Sequence, residues 1–374
     1  MDAGLASATP RTPGPPTASR RMPITQSKNQ QNPVCPECQS RFTVKKGKRR
    51  NRLQILQLYQ CTGCDHKFTS QAGKHKTYPL KTILDAISTY NLGHTATETQ
   101  SLLRRKTLID IPERTINLWL STYKALATYA RLRSAAKKLF PPSALIRSFT
   151  LYHQQVYRFQ LHQAKLALLL DAPEHNQLSV IRSYLGNVGA HFPHHLFQDS
   201  QHRSSKFPAE LDPPIICKEN QATRLAGLAL PTAPTNKKRH ETLQHFMLVN
   251  DSVTVAVEIP IYLTREDIVY FHSRGFNLNF DTDLITGHID FLQIRNGFLH
   301  ILDYKPDARK EKHAHIQLSI YALALSRRVQ LPLKYFKCAW FDEHDYFEFF
   351  PLQGVYQPGG KSQSTQTPKS KIAA

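Results

Sequence analysis

Just after residue 79, apolar residues recur with helical spacing. Leu80, Ile83, Leu84 and Ile87 fall on one face, and Gly93 ends that helix. Thr95-Ala96-Thr97-Glu98 has the form of a capping box and opens a second helix through Leu102 and Leu103. Pro112 stands at the start of a third. Its apolar side is Ile116, Trp119, Leu120 and Leu126, with Arg114, Asn117, Ser121 and Lys124 on the other side. Pro141-Pro142 marks a hinge. Residues 143–250 read as mostly helix and loop, with a long helix over about 150–170. From 251 to 352 the pattern becomes strand, strand, strand, helix, strand, strand. Within it, Asn296-Gly297 separates two β-rich runs, the strongest short signal for a two-residue hairpin turn.

That turn fixes a register. Arg295 opposes Phe298, Leu292 opposes Ile301, and Asp290 opposes Asp303. Two carboxylates then face each other with Cβ atoms about 5 Å apart. Alternation adds Lys305 to the same face, along with Leu292, Ile294, Leu299 and Ile301. An apolar face therefore ends in Asp, Asp and Lys. Opposed like charges destabilise a sheet unless something neutralises them. A divalent cation would do so, and oxygen ligands favour Mg²⁺ or Mn²⁺. On geometry alone, an Asp–Lys–Asp ion pair closing a hairpin is the alternative.

Four of the six cysteines form two pairs, Cys35-Pro-Glu-Cys38 and Cys61-Thr-Gly-Cys64. Each is followed by a cation and a phenylalanine, Arg41-Phe42 and Lys67-Phe68, so the two halves repeat. Four thiolates at this spacing suit a tetrahedral Zn²⁺ site, with both phenylalanines packing around it. Between the pairs runs a basic loop containing Lys45, Lys46, Lys48, Arg49, Arg50 and Arg52, which either is solvated or contacts phosphate.

Charge extends the phosphate reading to the whole chain. There are 49 lysines and arginines against 28 acids, a net +21 with a pI near 9.8, which points to a polyanion and above all to nucleic acid. At 40% hydrophobic residues the chain can bury a core, but no run is long and apolar enough to span a bilayer, so no membrane partner is expected. Residues 1–33 lack an apolar signal region and read as a disordered leader, and 353–374 as a disordered tail. A reducing, cytoplasmic compartment (nucleoid-associated in a prokaryote) fits the cysteine usage.

Asp290 followed by Asp303-Tyr304-Lys305 resembles the D…(D/E)-x-K core of the PD-(D/E)XK nucleases. Gln317 and Tyr321, spaced i and i+4 on an expected helix, resemble the extra motif of the RecB-like branch, and Glu258 resembles that branch's additional acid. The resemblance implies a restriction-endonuclease-like αβββαβ core within 143–352. It implies Mg²⁺ or Mn²⁺ held by Glu258, Asp290, Asp303 and the carbonyl of Tyr304. Lys305 would position the attacking water, with Gln317 and Tyr321 steadying the site. The branch often carries a histidine on an early helix, for which His191, His194 and His195 are candidates. Only Cys217 and Cys338 remain outside the two pairs, so no iron–sulfur cluster is expected.

A four-cysteine ribbon over 34–78, followed by the helices of 79–140 with Glu113-Arg114-Thr115-Ile116-Asn117, resembles the zinc-ribbon and helix-turn-helix front end of insertion-sequence transposases. The expected whole is a multidomain α/β protein: a DNA-directed, metal-dependent nuclease linked to mobile elements, recombination or repair. The alternatives are a non-catalytic DNA-binding regulator of a mobile element and an RNA-processing nuclease. The sequence leaves the oligomeric state open.

Overall fold

The computed structural model describes residues 32–50, 53, 55–69, 77–189, 191–199, 202–204, 211–276, 278 and 282–356, in two compact units, Met1–Ser70 and Gln71–Ala374. Nearly all of the expected leader, Arg52 and residues 357–374 lie outside the described residues.

In the first unit, β1 (Thr43–Arg50) pairs antiparallel with β2 (Ile55–Cys61), which pairs antiparallel with β3 (Lys67–Thr69). The basic run is thus largely a strand and not the expected loop. Its cations are tolerated because β1 is a sheet edge whose residues from Val44 onward are exposed, and an edge lined with lysine resists further pairing. A bulge between Lys45 and Lys48, with Gly47 at φ 105°, adds one residue to β1. The register then sets Lys45 across from Tyr59, Lys48 across from Gln57 and Arg50 across from Ile55. Opposed residues share a face, so these three cations project from the same side of the ribbon.

The second unit begins with α1 (Leu80–Asn91), α2 (Ala96–Thr107) and α3 (Glu113–Thr122). Gly93 at φ 101° follows the first helix, and the Thr95/Glu98 capping box opens the second, as expected. Arg114, Asn117 and Ser121 are exposed on α3, but the helix ends at Thr122, so Lys124 lies beyond it. Nor do these helices form a core of their own. Ile83, Ile87 and Trp119 belong to one buried cluster with Leu225, Leu243 and Met247 further along the chain. Asn250 ties α1 down by accepting from Asn91 at 2.9 Å and donating to Ser88 at 2.9 Å.

After α4 (Arg133–Leu139) the chain departs from expectation. The stretch expected as a long helix is a hairpin, β4 (Ile146–His153) and β5 (Gln155–His162), followed by the short α5 (Gln163–Leu170). Leu151, Phe159 and Leu161 are buried while Tyr152 and Val156 are exposed, a period of two. The turn residue is Gln154 at φ 61°, which carries none of the usual glycine or asparagine signal. Then follow α6 (Ile181–Asn187), β6 (Ile216–Cys217), α7 (Gln221–Ala229) and α8 (Arg239–Asn250). The remaining elements are β7 (Thr254–Thr264), α9 (Arg265–Ser273), β8 (Leu284–Arg295), β9 (Phe298–Tyr304), α10 (Ala314–Val329), β10 (Phe336–Phe341), β11 (Tyr346–Phe349) and α11 (Pro351–Val355). The last helix, α11, thus spans the boundary at 352/353 where the tail was expected to begin.

The run α8-β7-β8-β9-α10-β10 is the expected αβββαβ core, with α9 inserted between β7 and β8. Its strands sit in an eight-stranded mixed sheet of order β4-β5-β7-β8-β9-β10-β11-β6. The β9–β10 pair is parallel and joined through α10, while β7–β8 and β8–β9 are antiparallel. One face packs on α10, whose Leu318, Ile320, Leu323 and Leu325 are fully buried, each contributing on the order of 2 kcal/mol. The other face packs on α7 and α8. Buried Lys165 of α5 holds the end of α8 by donating to the carbonyls of Leu248 and Asp251.

Candidate active site

Asn296 and Gly297 both adopt positive φ, 52° and 74°, as a two-residue hairpin turn requires. The β8–β9 register follows from it, with Arg295 opposite Phe298 and Phe291 opposite Leu302. The ladder stops there, and the next positions on the two strands are Asp290 and Asp303. Asp290 Oδ2 instead accepts the backbone N–H of Tyr304 at 3.1 Å, so a carboxylate takes over where regular pairing ends.

The same thing happens one strand over. In the β7–β8 register, Val257 faces Phe291 and Ile259 faces Ile289, which leaves Glu258 facing Asp290. Glu258 has φ 54° in mid-strand, a sparsely populated conformation that costs on the order of 1–3 kcal/mol. Plain alternation would put Val257 and Ile259 on one face, yet they pack into opposite cores, and so do Ile289 and Phe291. Both strands reverse their pleat at the acid. Glu258, Asp290 and Asp303 consequently form one row across three adjacent strands.

Side chains from two helices complete the row. Lys305 Nζ lies 2.8 Å from Asp303 Oδ2 and donates to Gln317 Oε1 at 3.1 Å. Gln317 Nε2 donates to the Tyr321 hydroxyl at 2.7 Å, which also accepts from Ser204 at 3.2 Å. Gly287 makes room for this relay, since a Cβ there would stand 2.4 Å from the Tyr321 ring. From α8, Gln244 donates to Glu258 Oε1 at 2.7 Å, and His240 Nδ1 lies 3.4 Å from Asp290 Oδ2. Arg239 donates to the Tyr304 hydroxyl at 2.7 Å and pairs with Glu343 at 3.0 Å.

The charges are strongly coupled. Burial, then the neighbouring Asp290, holds the Asp303 carboxyl well above the usual range, against the pull of Lys305. Burial and Asp290 also push Glu258 up to about 7. Burial acts on Asp290 in the same direction, but its contact with His240 outweighs that and leaves it below its ordinary value. Burial pulls the Lys305 ammonium down, but Asp303 more than offsets it, so the lysine is raised. Glu258 Oε2 is buried with no hydrogen-bond partner among the described residues. An orphan carboxylate oxygen, two further carboxylates beside it and a proton retained for want of countercharge are a donor set that fits a hard divalent cation.

The histidine that meets the acid row is His240, on α8. His194 instead joins His153 at 2.9 Å, and His153 in turn meets His288 at 2.8 Å. His240 and Gln244 share one face of α8 at i and i+4. That spacing is visible in the sequence, but it carries meaning only once α8 is known to be the first helix of the core.

In the first unit, Cys35, Cys38, Cys61 and Cys64 place their sulfurs within 4.8 Å of one another. Cys35–Cys64 and Cys38–Cys61 are separated by 3.6 and 3.5 Å, far from a disulfide and near the ~3.8 Å edge of a tetrahedron with Zn–S bonds of about 2.3 Å. The cluster could hold a structural zinc. Phe68 is buried beside it and stacks on Tyr59 at 5.9 Å, but Phe42, expected to be its counterpart, is 77% exposed. Tyr59 takes that place.

Residues 200–345 match the model of the PD-(D/E)XK nuclease superfamily. The matched span contains the whole acid row, Lys305, Gln317, Tyr321, His240 and Gln244, so this part of the chain is similar to the PD-(D/E)XK domains, whose fold is that of metal-dependent nucleases. Neither a curated protein nor a solved structure matches the chain at a significant level.

Proposed function

We propose that the protein is a DNA-directed nuclease that hydrolyses phosphodiester bonds with Mg²⁺ or Mn²⁺, of the RecB-like type. The observation that carries this reading is the row of Glu258, Asp290 and Asp303 with Lys305 at its end. These carboxylates, with the carbonyl of Tyr304, would hold the cation. When bound, it would stabilise charge on the scissile phosphate and acidify water. Lys305, fixed between Asp303 and Gln317, is placed to orient the attacking water or neutralise a phosphate oxygen. Tyr321 and Gln317 hold that lysine in line, and His240 and Gln244 fix the directions of Asp290 and Glu258.

Delivery to DNA is assigned to the basic face of the ribbon, Lys45, Lys48 and Arg50, and to the exposed side of α3, Arg114 and Asn117, used as a recognition helix. Lys46, Arg49, Arg52 and Lys124 would add phosphate contacts. The +21 charge supports a nucleic-acid partner, and a role in mobile-element, recombination or repair chemistry would follow from a transposase-like front end. None of the described helices is long and apolar enough to cross a membrane. The test is cleavage of supercoiled, linear and single-stranded DNA and of RNA by purified protein, with and without added Mg²⁺ or Mn²⁺. Metal-dependent DNA cleavage is expected. DNA binding without cleavage under any metal would replace this reading with that of an accessory DNA-binding protein, and cleavage of RNA alone would transfer it to RNA processing.

A further inference from the structure

A cavity of about 620 Å³ lies at the other end of α10 from the acid row, within the range of roughly 300–1,000 Å³ typical of small-molecule sites. Gln317 and Tyr321 serve the acid row, whereas Ser326, Arg327 and Gln330 line this cavity. At about 1.5 Å of rise per residue, roughly 14 Å of helix separates Gln317 from Ser326. The cavity is therefore distinct from the nuclease site, and its chemistry is independent of the nuclease reading.

Its walls divide into two kinds. Phe271, Phe276, Leu331 and Leu333 give an apolar surface, while Arg274, Arg327 and Lys334 bring three cations, and none of the lining residues is acidic. Arg327 is anchored by Asp267 at 3.1 Å. Arg274 and Lys334 are exposed and pair with no carboxylate among the described residues. The guanidinium groups of Arg274 and Arg327 both lie against the Tyr270 ring, 4.8 and 4.3 Å from its centroid, which fixes two like charges near each other. Asp267 offsets Arg327 but is shared with Arg328, and the carboxyl end of α10 adds only about half a negative charge, so with Arg274 and Lys334, unpaired with any described carboxylate, the cluster stays net positive. A multiply charged anion would balance it, and arginine is suited to the oxygens of a phosphate.

We propose that this cavity binds a nucleoside phosphate, with the base against Phe271, Phe276 and Leu331 and the phosphate on Arg274 and Lys334. The test is isothermal titration of the full chain with AMP, ADP, adenosine and inorganic phosphate, without added divalent cation so that the acid row recruits no metal-bound nucleotide. AMP or ADP should bind at least tenfold more tightly than adenosine or phosphate alone. The exposed double change Arg274→Glu/Lys334→Glu should weaken that binding at least tenfold with an unchanged melting temperature, and Asp303→Asn should leave it intact. The proposal is overturned if no nucleotide binds at millimolar concentration or if the charge-reversed protein binds as well as wild type. Phosphate binding as tightly as AMP would overturn the base assignment, and adenosine binding as tightly as AMP would overturn the phosphate assignment.

Discussion

The four cysteines of the first unit and the three carboxylates of the second both gather anionic ligands at one point, but they differ in what holds them there. Each cysteine pair spans a single tight turn, and one short hairpin brings the pairs together, closed by Tyr59 and Phe68 and little else. The carboxylates come from three strands backed by large cores on both faces. The small unit has too little apolar burial to stand alone, so a bound ion would supply its folding energy. The sheet has burial in excess and tolerates Glu258 at positive φ and an Asp303 carboxyl held well above its usual range by burial and by Asp290, both unfavourable locally. Where a metal holds up the fold, its ligands are indispensable to structure. Where the fold holds up a metal site, the ligands are free to be costly.

The largest effect should come from zinc. The protein purified without chelator should carry about one Zn²⁺ per chain. Stripping it, or changing Cys61→Ser, should unfold residues 34–69 while the nuclease domain keeps its melting transition, a loss on the order of 10 kcal/mol of apparent binding energy. Elemental analysis and amide exchange would check this, and retained protection in the ribbon without metal would break the comparison.

Next in size is catalysis. Asp303→Asn should lower metal-dependent cleavage about a thousandfold or more, some 4 kcal/mol, without lowering the melting temperature of the metal-free protein. Lys305→Ala should lose most turnover yet bind metal nearly as before. Equal cleavage by wild type and Asp303→Asn would remove the acid row from the chemistry.

The third effect is a pH dependence. Glu258 titrates near 7 in the folded protein and near 4.5 when unfolded, so the native state binds the extra proton between those values. Its contribution to stability is present below pH 4.5 and is lost as pH rises through 7, by up to about 3 kcal/mol. Glu258→Gln should abolish that part of the decline, and saturating Mg²⁺ should suppress it. Denaturant melts from pH 4.5 to 7.5 on both proteins read it directly, and identical slopes would contradict the charge coupling in the row.

The smallest concerns the ribbon's basic face. Changing Lys45, Lys48 and Arg50 to Gln should flatten the dependence of log affinity on log salt by up to about 3 units, whatever the DNA sequence. Changing Lys46 alone, which does not share the register of those three, should have less effect. An unchanged slope in the triple variant would show that this face does not touch phosphate.

Much of the molecule is readable in one dimension because it depends on near neighbours. The cysteine spacing, the Thr95–Glu98 cap, and the Asn296-Gly297 turn with the register it imposes on Asp290 and Asp303 all lie within a few residues of their cause. Other features are not readable, because their cause is distant in sequence. The hairpin at 146–162 turns on a glutamine and is held in place by pairing with β7, so without that partner its alternation passes for helix. The helices of 79–140 share a core with α7 and α8, which no local pattern announces. His240 and Gln244 become site residues only because packing sets α8 over the strands that bear Glu258 and Asp290. By itself the sequence determined the turns, the caps and the local chemistry of the ligands. Tertiary structure decided which distant side chains meet that chemistry, because a strand's register and a helix's docking are settled by burial summed over the whole sheet and not by any residue in it.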